Sequence, residues 1–352
     1  MPKVKGAQIQ IKQIGEMLDD SLILVQPDGA IIAANTTAVR HFGEDLVGNS
    51  IFDVIKHPDI KDLLAEAVAG NASLEFKYEP SEIVQREFRL RLKRLADGPV
   101  ALLILDMTLQ RNLEKVRRDF VANVSHELRS PLTSLVGFVE TILSGEVSDS
   151  EMRTRFLKIM EEEAKRMSRL VDDLLSLSQV EVEEHIVPDK TVQLFELLHS
   201  AKDSLAVQAN QKNMKIIVRQ DGCLNGLPPP LIFGNHDEIT EVFVNLLENA
   251  IKYGFDGSDI TLAITMVAPR HVRIDVTNFG EGIEERHLTR LTERFYRVDK
   301  ARSRQIGGTG LGLAIVKHIV NRHRGSLSIT STLGETTKFS VDFPLAPVVM
   351  PQ

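Results

Sequence analysis

A histidine with an acidic neighbour, His126-Glu127, lies in the stretch Val-Ala-Asn-Val-Ser-His-Glu-Leu-Arg-Ser-Pro. The helical period places this histidine away from the apolar stripe of Val124 and Leu128, on the solvent side. A neutral imidazole nitrogen is a nucleophile that can attack the γ-phosphorus of ATP and form a phosphoramidate. Glu127 can accept a hydrogen bond from the other ring nitrogen and take its proton as charge develops. A bare His-Glu pair is more often an exposed histidine beside an incidental glutamate, because short motifs match by chance.

Two asparagines, Asn245 and Asn249, are four residues apart and therefore share one face of a predicted helix. Leu246 and Ile251 point instead to the core of the domain. Mg²⁺ prefers hard oxygen ligands and keeps several waters, so one amide oxygen together with nucleotide phosphates suffices to bind it. Taken alone, however, the two asparagines are better explained as solvated residues on the polar face of an amphipathic helix than as a metal site.

A glycine-rich run from Gly307 to Gly312 precedes an apolar stretch of helical period that starts at Ala314. Glycine permits close approach of the backbone, and free N–H groups at the start of a helix attract phosphate. A glycine turn between two elements is the alternative for this run by itself. The chain thus carries a nucleophile, a cation ligand and a phosphate-binding loop, in that order.

A long amphipathic pattern positions the histidine. Its apolar members recur every three or four residues: Leu113, Val116, Phe120, Val124, Leu128, Leu132, Leu135, Val139 and Ile142. Turn residues at 145–150 interrupt the pattern, and a second amphipathic helix continues to about Val180. Together they predict a hairpin ~45 Å long at ~1.5 Å per residue. One hairpin leaves its apolar stripe in water, whereas two copies packed as a four-helix bundle bury it, so the pattern predicts a homodimer.

Alternating helices and strands follow the hairpin and predict an α/β sandwich, in which helices cover one face of one sheet. A linker at 182–191 precedes helices at 194–211, 237–252 and 311–323 and strands at 215–219, 260–267, 272–277, 326–330 and 337–343. Short elements precede the hairpin, including a hairpin signal at Pro27-Asp28-Gly29. They are strands at 21–26 and 30–35, helices near 51–55 and 60–69, and strands at 74–78, 87–95 and 100–107.

These motifs together resemble the sensor histidine kinases of two-component systems, over about residues 113–344. The segment Ser-Leu-Val-Gly-Phe-Val-Glu-Thr at 134–141 resembles the phosphate-regulon sensor type. The first part of the chain resembles a PAS sensor domain with Asp106-Met107-Thr108 at its exit. The implied domains are a PAS-like α+β domain at 1–107, a signalling helix with the dimerisation and histidine phosphotransfer hairpin at 108–183, and a Bergerat-type α/β sandwich that binds ATP at 184–352.

The resemblance also implies residue roles. His126 would be the phosphoacceptor and Glu127 its base, while Ser130 stands where relatives with phosphatase activity carry Thr or Asn. Asn249 would bind Mg²⁺. Phe295 would anchor a lid over the nucleotide, and Arg297 would meet phosphate charge. The remaining nucleotide-binding positions would be Asn245, Lys252, Tyr253, Asn278, Gly280, Gly282, Gly308, Thr309, Gly310, Leu311 and Gly312.

One position departs from the family pattern. The family carries an aspartate whose carboxylate accepts the exocyclic amine of adenine, and this chain has Asn278 in that place. An amide oxygen still accepts that bond, but without charge assistance the bond is weaker. Asp275 cannot substitute, because it lies an odd number of strand positions away and points to the other face of the sheet.

The implied activity is ATP-dependent autophosphorylation of His126 with Mg²⁺, then transfer of the phosphoryl group to an aspartate of a response regulator, in a phosphate-sensing pathway for the subtype named above. The first alternative is a non-catalytic dimeric scaffold whose nucleotide domain has degenerated, consistent with Asn278. The second is a nucleotide-dependent clamp or chaperone with the same sandwich, which leaves His126-Glu127 without a purpose. Transfer within one chain and transfer between two chains both stay open.

Composition also argues against several other classes of protein. The net charge of −7 over 352 residues argues against a dedicated nucleic-acid surface, which is normally basic. The single Cys223 cannot support a disulfide framework and fits a reducing compartment. Because no run of ~18 apolar residues occurs, we expect a cytoplasmic protein. Attachment to the cytoplasmic face of the inner membrane is expected only in a longer form with upstream segments.

Overall fold

The computed structural model describes residues 15–70, 74–78, 86–95, 98–145, 149–221, 230–268, 270–299 and 308–346. Cys223, Gly307 and part of the predicted turn at 145–150 lie outside these residues. The chain divides into two compact units, Met1–Val121 and Ala122–Gln352. The three-domain division stays a prediction.

The first unit is an α+β domain on a five-stranded antiparallel sheet, which confirms the predicted fold class. Its strands pair in the order β2-β1-β5-β4-β3. They are β1 (Ser21–Val25), β2 (Ile31–Ala34), β3 (Leu74–Tyr78), β4 (Phe88–Arg94) and β5 (Val100–Asp106). Three short helices separate β2 from β3 along the chain: α1 (Thr36–Phe42), α2 (Ile51–Val54) and α3 (Ile60–Val68).

The alternation of buried and exposed residues along β4 shows that one face of this sheet packs against the core. On β4, Phe88, Leu90 and Leu92 are buried, whereas Arg91 and Lys93 are exposed, because successive side chains point to opposite faces.

Helix α1 follows β2 directly and was not predicted. Asn35 ends the strand, because its side-chain oxygen accepts a hydrogen bond from the Ala38 N–H at 3.0 Å and so caps α1. The predicted strand at 30–35 therefore ends one residue early and leads directly into a helix.

The exit of the first unit is held by Glu87. Its backbone N–H donates to the hydroxyl of Thr108 at 3.1 Å, and its carbonyl accepts from the Met107 N–H at 2.8 Å. The carboxylate of Glu87, which is 9% exposed, pairs with Arg111 on the following helix. Asp106 accepts from the Thr108 N–H at 2.9 Å. Hydrogen bonds therefore hold the Asp-Met-Thr exit against Glu87, directly before β4.

The predicted helical hairpin consists of α4 (Thr108–Leu143) and α5 (Ser150–Glu183). Helix α4 continues through Pro131, which has no N–H, so the carbonyl of Glu127 has no helical partner. Asp149 caps α5 by accepting from the Glu151 N–H at 3.0 Å. In a single chain much of the apolar stripe is exposed, for example at Leu113, Val116, Leu132, Val139, Val171 and Leu175.

A second five-stranded sheet follows the hairpin, in the order β11-β12-β10-β9-β7. Strand β7 is parallel to β9, and the other pairs are antiparallel. The strands are β7 (Lys215–Asp221), β9 (Asp259–Ala268), β10 (His271–Phe279), β11 (Ser326–Ser331) and β12 (Thr336–Pro344). A separate small pair, β6 (Thr191–Gln193) and β8 (Leu231–Phe233), was not predicted.

Helices cover one face of this sheet, which confirms the predicted α/β sandwich. They are α6 (Leu194–Ser204), α7 (Ala206–Gln211), α8 (His236–Tyr253), α9 (Glu285–Leu288) and α10 (Gly312–Arg322). The predicted helix at 194–211 is interrupted at Leu205, whose backbone leaves the helical region at φ −105° and ψ 2°. No helix in the described ranges is both long and apolar enough to cross a membrane.

Candidate functional site

A cavity of about 520 Å³ lies among α8, the ends of β10 and β12, and the glycine run before α10. Its volume falls in the range of roughly 300–1,000 Å³ that is typical of small-molecule sites. Every predicted nucleotide-binding residue lines it except Phe295 and Leu311. Leu311 is fully buried behind the glycine run. The Phe295 N–H donates to the carbonyl of Gly310 at 2.8 Å, so Phe295 supports the run from outside the cavity wall.

Helix α8 supplies the polar wall. Its apolar face is buried in the core, and the opposite face presents Asn245, Asn249 and Lys252 to the cavity. The amide of Asn245 donates to the carbonyl of Glu241 at 3.0 Å, and Lys252 forms an ion pair with Glu248 at 2.8 Å. The amide of Asn249 hydrogen bonds to no residue in the described ranges. Its oxygen is therefore available to a hard cation.

The glycine run can approach α8 because Gly312 has no side chain. A Cβ atom at Gly312 would lie 2.4 Å from the side-chain oxygen of Asn245. Thr309 adds a hydroxyl on the cavity side, and the Leu311 N–H donates to it at 3.3 Å. The run and the asparagine face therefore form two walls of one cavity.

The far end of the cavity is formed by paired residues of β10 and β12. Asn278 is 4% exposed and lies on the same buried face of β10 as Val276. Asp275 lies on the opposite face, 3.8 Å from the ammonium group of Lys338, as the strand alternation predicts. Thr337 is the cross-strand partner of Asn278 and also lines the cavity. Sequence reasoning missed Thr337, although the alternation along β12 places it beside the buried Phe339.

The predicted phosphoacceptor, His126, is exposed on α4, and so is Ser130 one turn further along the helix. The carboxylate of Glu127 contacts two guanidinium groups, Arg166 at 3.1 Å and Arg297 at 3.3 Å. The hydrogen bonds of the described residues include none between Glu127 and the His126 ring. In this arrangement Glu127 is neutralised by arginines, and its role as a base stays a prediction.

Helix α5 closes one side of the cavity through Arg169 and Asp173. The carboxylate of Asp173 accepts a hydrogen bond from the Thr309 hydroxyl at 2.6 Å. Burial raises the pKa of Asp173, and this bond only partly opposes the effect. Sequence reasoning missed both α5 residues, because their proximity to the glycine run depends on how the hairpin packs against the sandwich.

Other polar contacts join the end of the hairpin to the sandwich. Arg294 pairs with Glu181, His318 with Glu184 at 3.0 Å, and the buried Arg322 with Glu183 at 2.7 Å. The hairpin and the sandwich are therefore docked together at the cavity.

A buried histidine supports the start of α8. The Nε2 atom of His323 accepts from the Asn235 N–H at 3.0 Å, and its Nδ1–H donates to the carbonyl of Ile319 at 2.7 Å. These two bonds require the neutral ring. Burial lowers the pKa of His323 below its usual value.

We expect His323 to make the sandwich sensitive to acid. Below about pH 6.5 the unfolded chain binds a proton at this ring that the folded chain excludes, so unfolding becomes easier by up to ~1.4 kcal/mol per pH unit. His323→Gln keeps a donor and an acceptor but cannot titrate. Its free energy of unfolding, measured by urea titration between pH 7 and 5, should fall less steeply than that of the wild type.

The buried carboxylates Asp173, Glu238 and Glu241, whose pKa values are raised by burial, act in the opposite direction. Glu238 lies 3.9 Å from the His323 ring, and glutamine keeps a polar neighbour beside it, so we expect the three carboxylates to contribute alike in variant and wild type. The exposed His185, changed to Gln, should keep the wild-type slope. Equal slopes for all three proteins would refute the role assigned to His323.

Comparison with known proteins agrees with this geometry. The model of the His Kinase A (phospho-acceptor) domain matches residues 116–183. The model of the histidine kinase-, DNA gyrase B- and HSP90-like ATPases matches residues 234–347. The phosphate regulon sensor protein PhoR of Pseudomonas aeruginosa is 33% identical over 96% of this chain and 75% of PhoR. The chain belongs to the sensor histidine kinases.

The sensor histidine kinase is also 30% identical to WalK of Bacillus subtilis, over 97% of this chain and 56% of WalK. It therefore spans about half of the length of WalK and three quarters of PhoR. Its fold is similar to that of the histidine kinase ThkA, solved with the response regulator protein TrrA, with a TM-score of 0.53 and 20% identity over 95% of this chain and 98% of ThkA.

These matches confirm the family, protein-histidine kinase activity and use of ATP that the sequence predicted. The roles of individual site residues stay predictions.

Proposed function

We propose that this sensor histidine kinase moves the γ-phosphoryl group of ATP from the cavity to His126. The contact between Arg297 and Glu127 carries the proposal. Arg297 lines the cavity and lies 3.3 Å from Glu127, which precedes Leu128 and directly follows His126. The cavity therefore opens beside the phosphoacceptor helix of the same chain, and the exposed His126 ring is accessible to a phosphate.

Each wall of the cavity has a task in this proposal. Asn278 and Thr337 hold the base, while Lys252, Arg297 and the N–H groups at the start of α10 hold the phosphates. Asn249 would hold Mg²⁺, which neutralises phosphate charge when it is bound. The neutral His126 ring attacks the γ-phosphorus, the bond from that phosphorus to the bridging oxygen breaks, and ADP leaves. Glu127 takes the ring proton once the arginines release its carboxylate.

The same proposal covers partners. The exposed apolar stripe of α4 and α5 pairs two chains as a four-helix bundle, because a second copy is the simplest way to bury it. The phosphoryl group then passes to an aspartate of a response regulator, the class of partner bound to ThkA. The likeness to PhoR supports phosphate availability as the input. The exposed Ser130 hydroxyl supplies the polar group that a phosphatase reaction on the regulator would need.

The first unit acts as the PAS-like sensor in this scheme and controls access to His126 through the first turns of α4. The catalytic unit works in the cytoplasm, where ATP and receiver domains are available.

Covalent labelling tests the proposed function. The full chain, Mg²⁺ and γ-labelled ATP are incubated, and label on the protein is counted after denaturation. A kinase acquires label, and chelation of Mg²⁺ prevents it. ATP binding without label would favour a nucleotide-dependent clamp. A chain that neither binds ATP nor acquires label would be the non-catalytic scaffold.

The docked hairpin should weaken ATP binding through Asp173. Its carboxylate lies at the Thr309 hydroxyl, on the wall that the phosphates approach, and like charges repel at this range. Asp173→Asn keeps the hydrogen bond but removes the charge. We expect its Kd for ATP, measured by calorimetry, to fall about tenfold, or ~1.4 kcal/mol.

The matched control for this prediction is Asp172→Asn, which removes the same charge from an exposed neighbouring position. Screening by solvent should leave its ATP affinity close to that of the wild type. Equal affinities for both variants would show that Asp173 does not oppose the nucleotide.

A further inference from the structure

The base end of the cavity contains a buried amide without a fixed partner. Asn278 is 4% exposed, and its side chain hydrogen bonds to no residue in the part of the chain that the structure describes. Because Asn278 lines the cavity, a bound ligand can pair with the amide without first breaking a hydrogen bond inside the described part of the protein.

The neighbouring Thr337, unlike Asn278, has a side-chain hydrogen-bond partner among the described residues, the Ser331 hydroxyl. The Ser331 hydroxyl donates to the carbonyl of Thr336 at 3.2 Å and accepts from the Ile283 N–H at 2.9 Å. Either hydroxyl can donate in the 2.8 Å contact between Ser331 and Thr337. A hydroxyl both donates and accepts, so Thr337 does not by itself distinguish a 6-amino from a 6-oxo group, and the choice between ligands depends on Asn278.

An amide and a carboxylate select bases differently. A carboxylate only accepts hydrogen bonds, so the oxygen that pairs with a 6-amino group is repelled by a 6-oxo group in the same place. An amide has one acceptor and a donor on the same edge. In one orientation it accepts from the 6-amino group of adenine and donates to N1. Rotated by half a turn, it donates to a 6-oxo group and accepts from the N1–H.

We propose that Asn278 makes this kinase permissive at the purine 6-position, so that 6-oxopurine nucleoside triphosphates bind about as well as ATP. The proposal rests on the proposed function, in which this cavity holds the nucleotide base. Nothing in the described structure fixes the amide in one orientation, so neither base has to break an internal hydrogen bond. A site built to pair with one substituent, by contrast, rejects the analogue that leaves its polar group unpaired.

The test compares ATP with inosine triphosphate (ITP), which carries the 6-oxo group and N1–H but no 2-amino group. Calorimetry with the full chain and Mg²⁺ gives both Kd values for the wild type and for Asn278→Asp. The wild type should bind the two nucleotides within about tenfold of each other. In the Asp variant ATP should bind more tightly, and the ratio of the ITP Kd to the ATP Kd should rise at least about 30-fold.

Asn278→Ala provides a second test in case Asn278→Asp does not fold. It removes donor and acceptor together, so both nucleotides should weaken by the same factor. A wild-type preference for ATP above about 100-fold, or an unchanged ratio in an Asp variant that still binds ATP, would overturn the proposal. If the wild type binds neither nucleotide, the proposed function itself fails.

Discussion

The variant His126→Ala should acquire no covalent label from γ-labelled ATP, a loss of at least about 1,000-fold, because removal of a nucleophile leaves no route to the covalent product. ATP binding should stay within about twofold of the wild type. His126 is exposed and does not line the cavity, so its truncation disturbs neither packing nor the nucleotide site. Label is counted after a time course with saturating Mg²⁺ and ATP.

His185→Ala is the matched control for this experiment. His185 is also exposed and follows the same helical hairpin, but it has no predicted role in phosphate transfer. It should be labelled at the wild-type rate. Label that persists in His126→Ala would mean that the acceptor is another residue.

The second large effect is expected at Gly282, whose φ of +75° favours glycine. A Cβ atom there would lie 2.5 Å from the backbone carbonyl oxygen of Thr332, which cannot rotate away as a side chain could. Gly282→Ala should therefore displace the cavity wall that Gly282 forms. We expect the Kd for ATP to rise about 100-fold, equivalent to ~3 kcal/mol of strain from overpacking.

The control variant Gly334→Ala distinguishes the effect of the Cβ clash from the effect of a positive φ. Gly334 has nearly the same φ, +73°, but a Cβ atom there meets nothing within 4 Å. Both variants lose about 1–2 kcal/mol because alanine resists a positive φ. Only the Gly282 variant should lose ATP binding, and equal affinities in the two variants would contradict the assigned clash.

Local patterns in the sequence predicted much of this fold. The alternation of Phe88, Leu90 and Leu92 predicted a half-buried strand, and the helical spacing of Asn245 and Asn249 predicted one polar face. Such patterns depend on which side of an element faces the core, so a short window of sequence contains them. Helix α1 was not predicted because Ala38 is its one buried residue, so its seven residues show no apolar helical period.

The candidate site was predictable only where its residues belong to motifs. Thr337 could have been found from strand alternation, but Arg166 and Asp173 could not. Their roles arise because α5 packs against the sandwich, and no local pattern records that packing. The contacts of Glu127 likewise could not be predicted from local sequence. Its position beside His126 was evident, but its two arginine partners come from distant parts of the chain.

The position and stability of the phosphate on the wild-type chain show whether His126 is the phosphoacceptor. The protein is phosphorylated with Mg²⁺ and ATP, digested at alkaline pH and analysed by mass spectrometry, with parallel samples held in acid and in base. We expect a single phosphopeptide that contains His126 and a linkage that acid breaks and base preserves, as in a phosphoramidate. An acid-stable phosphate, or one on a peptide without His126, would contradict this assignment.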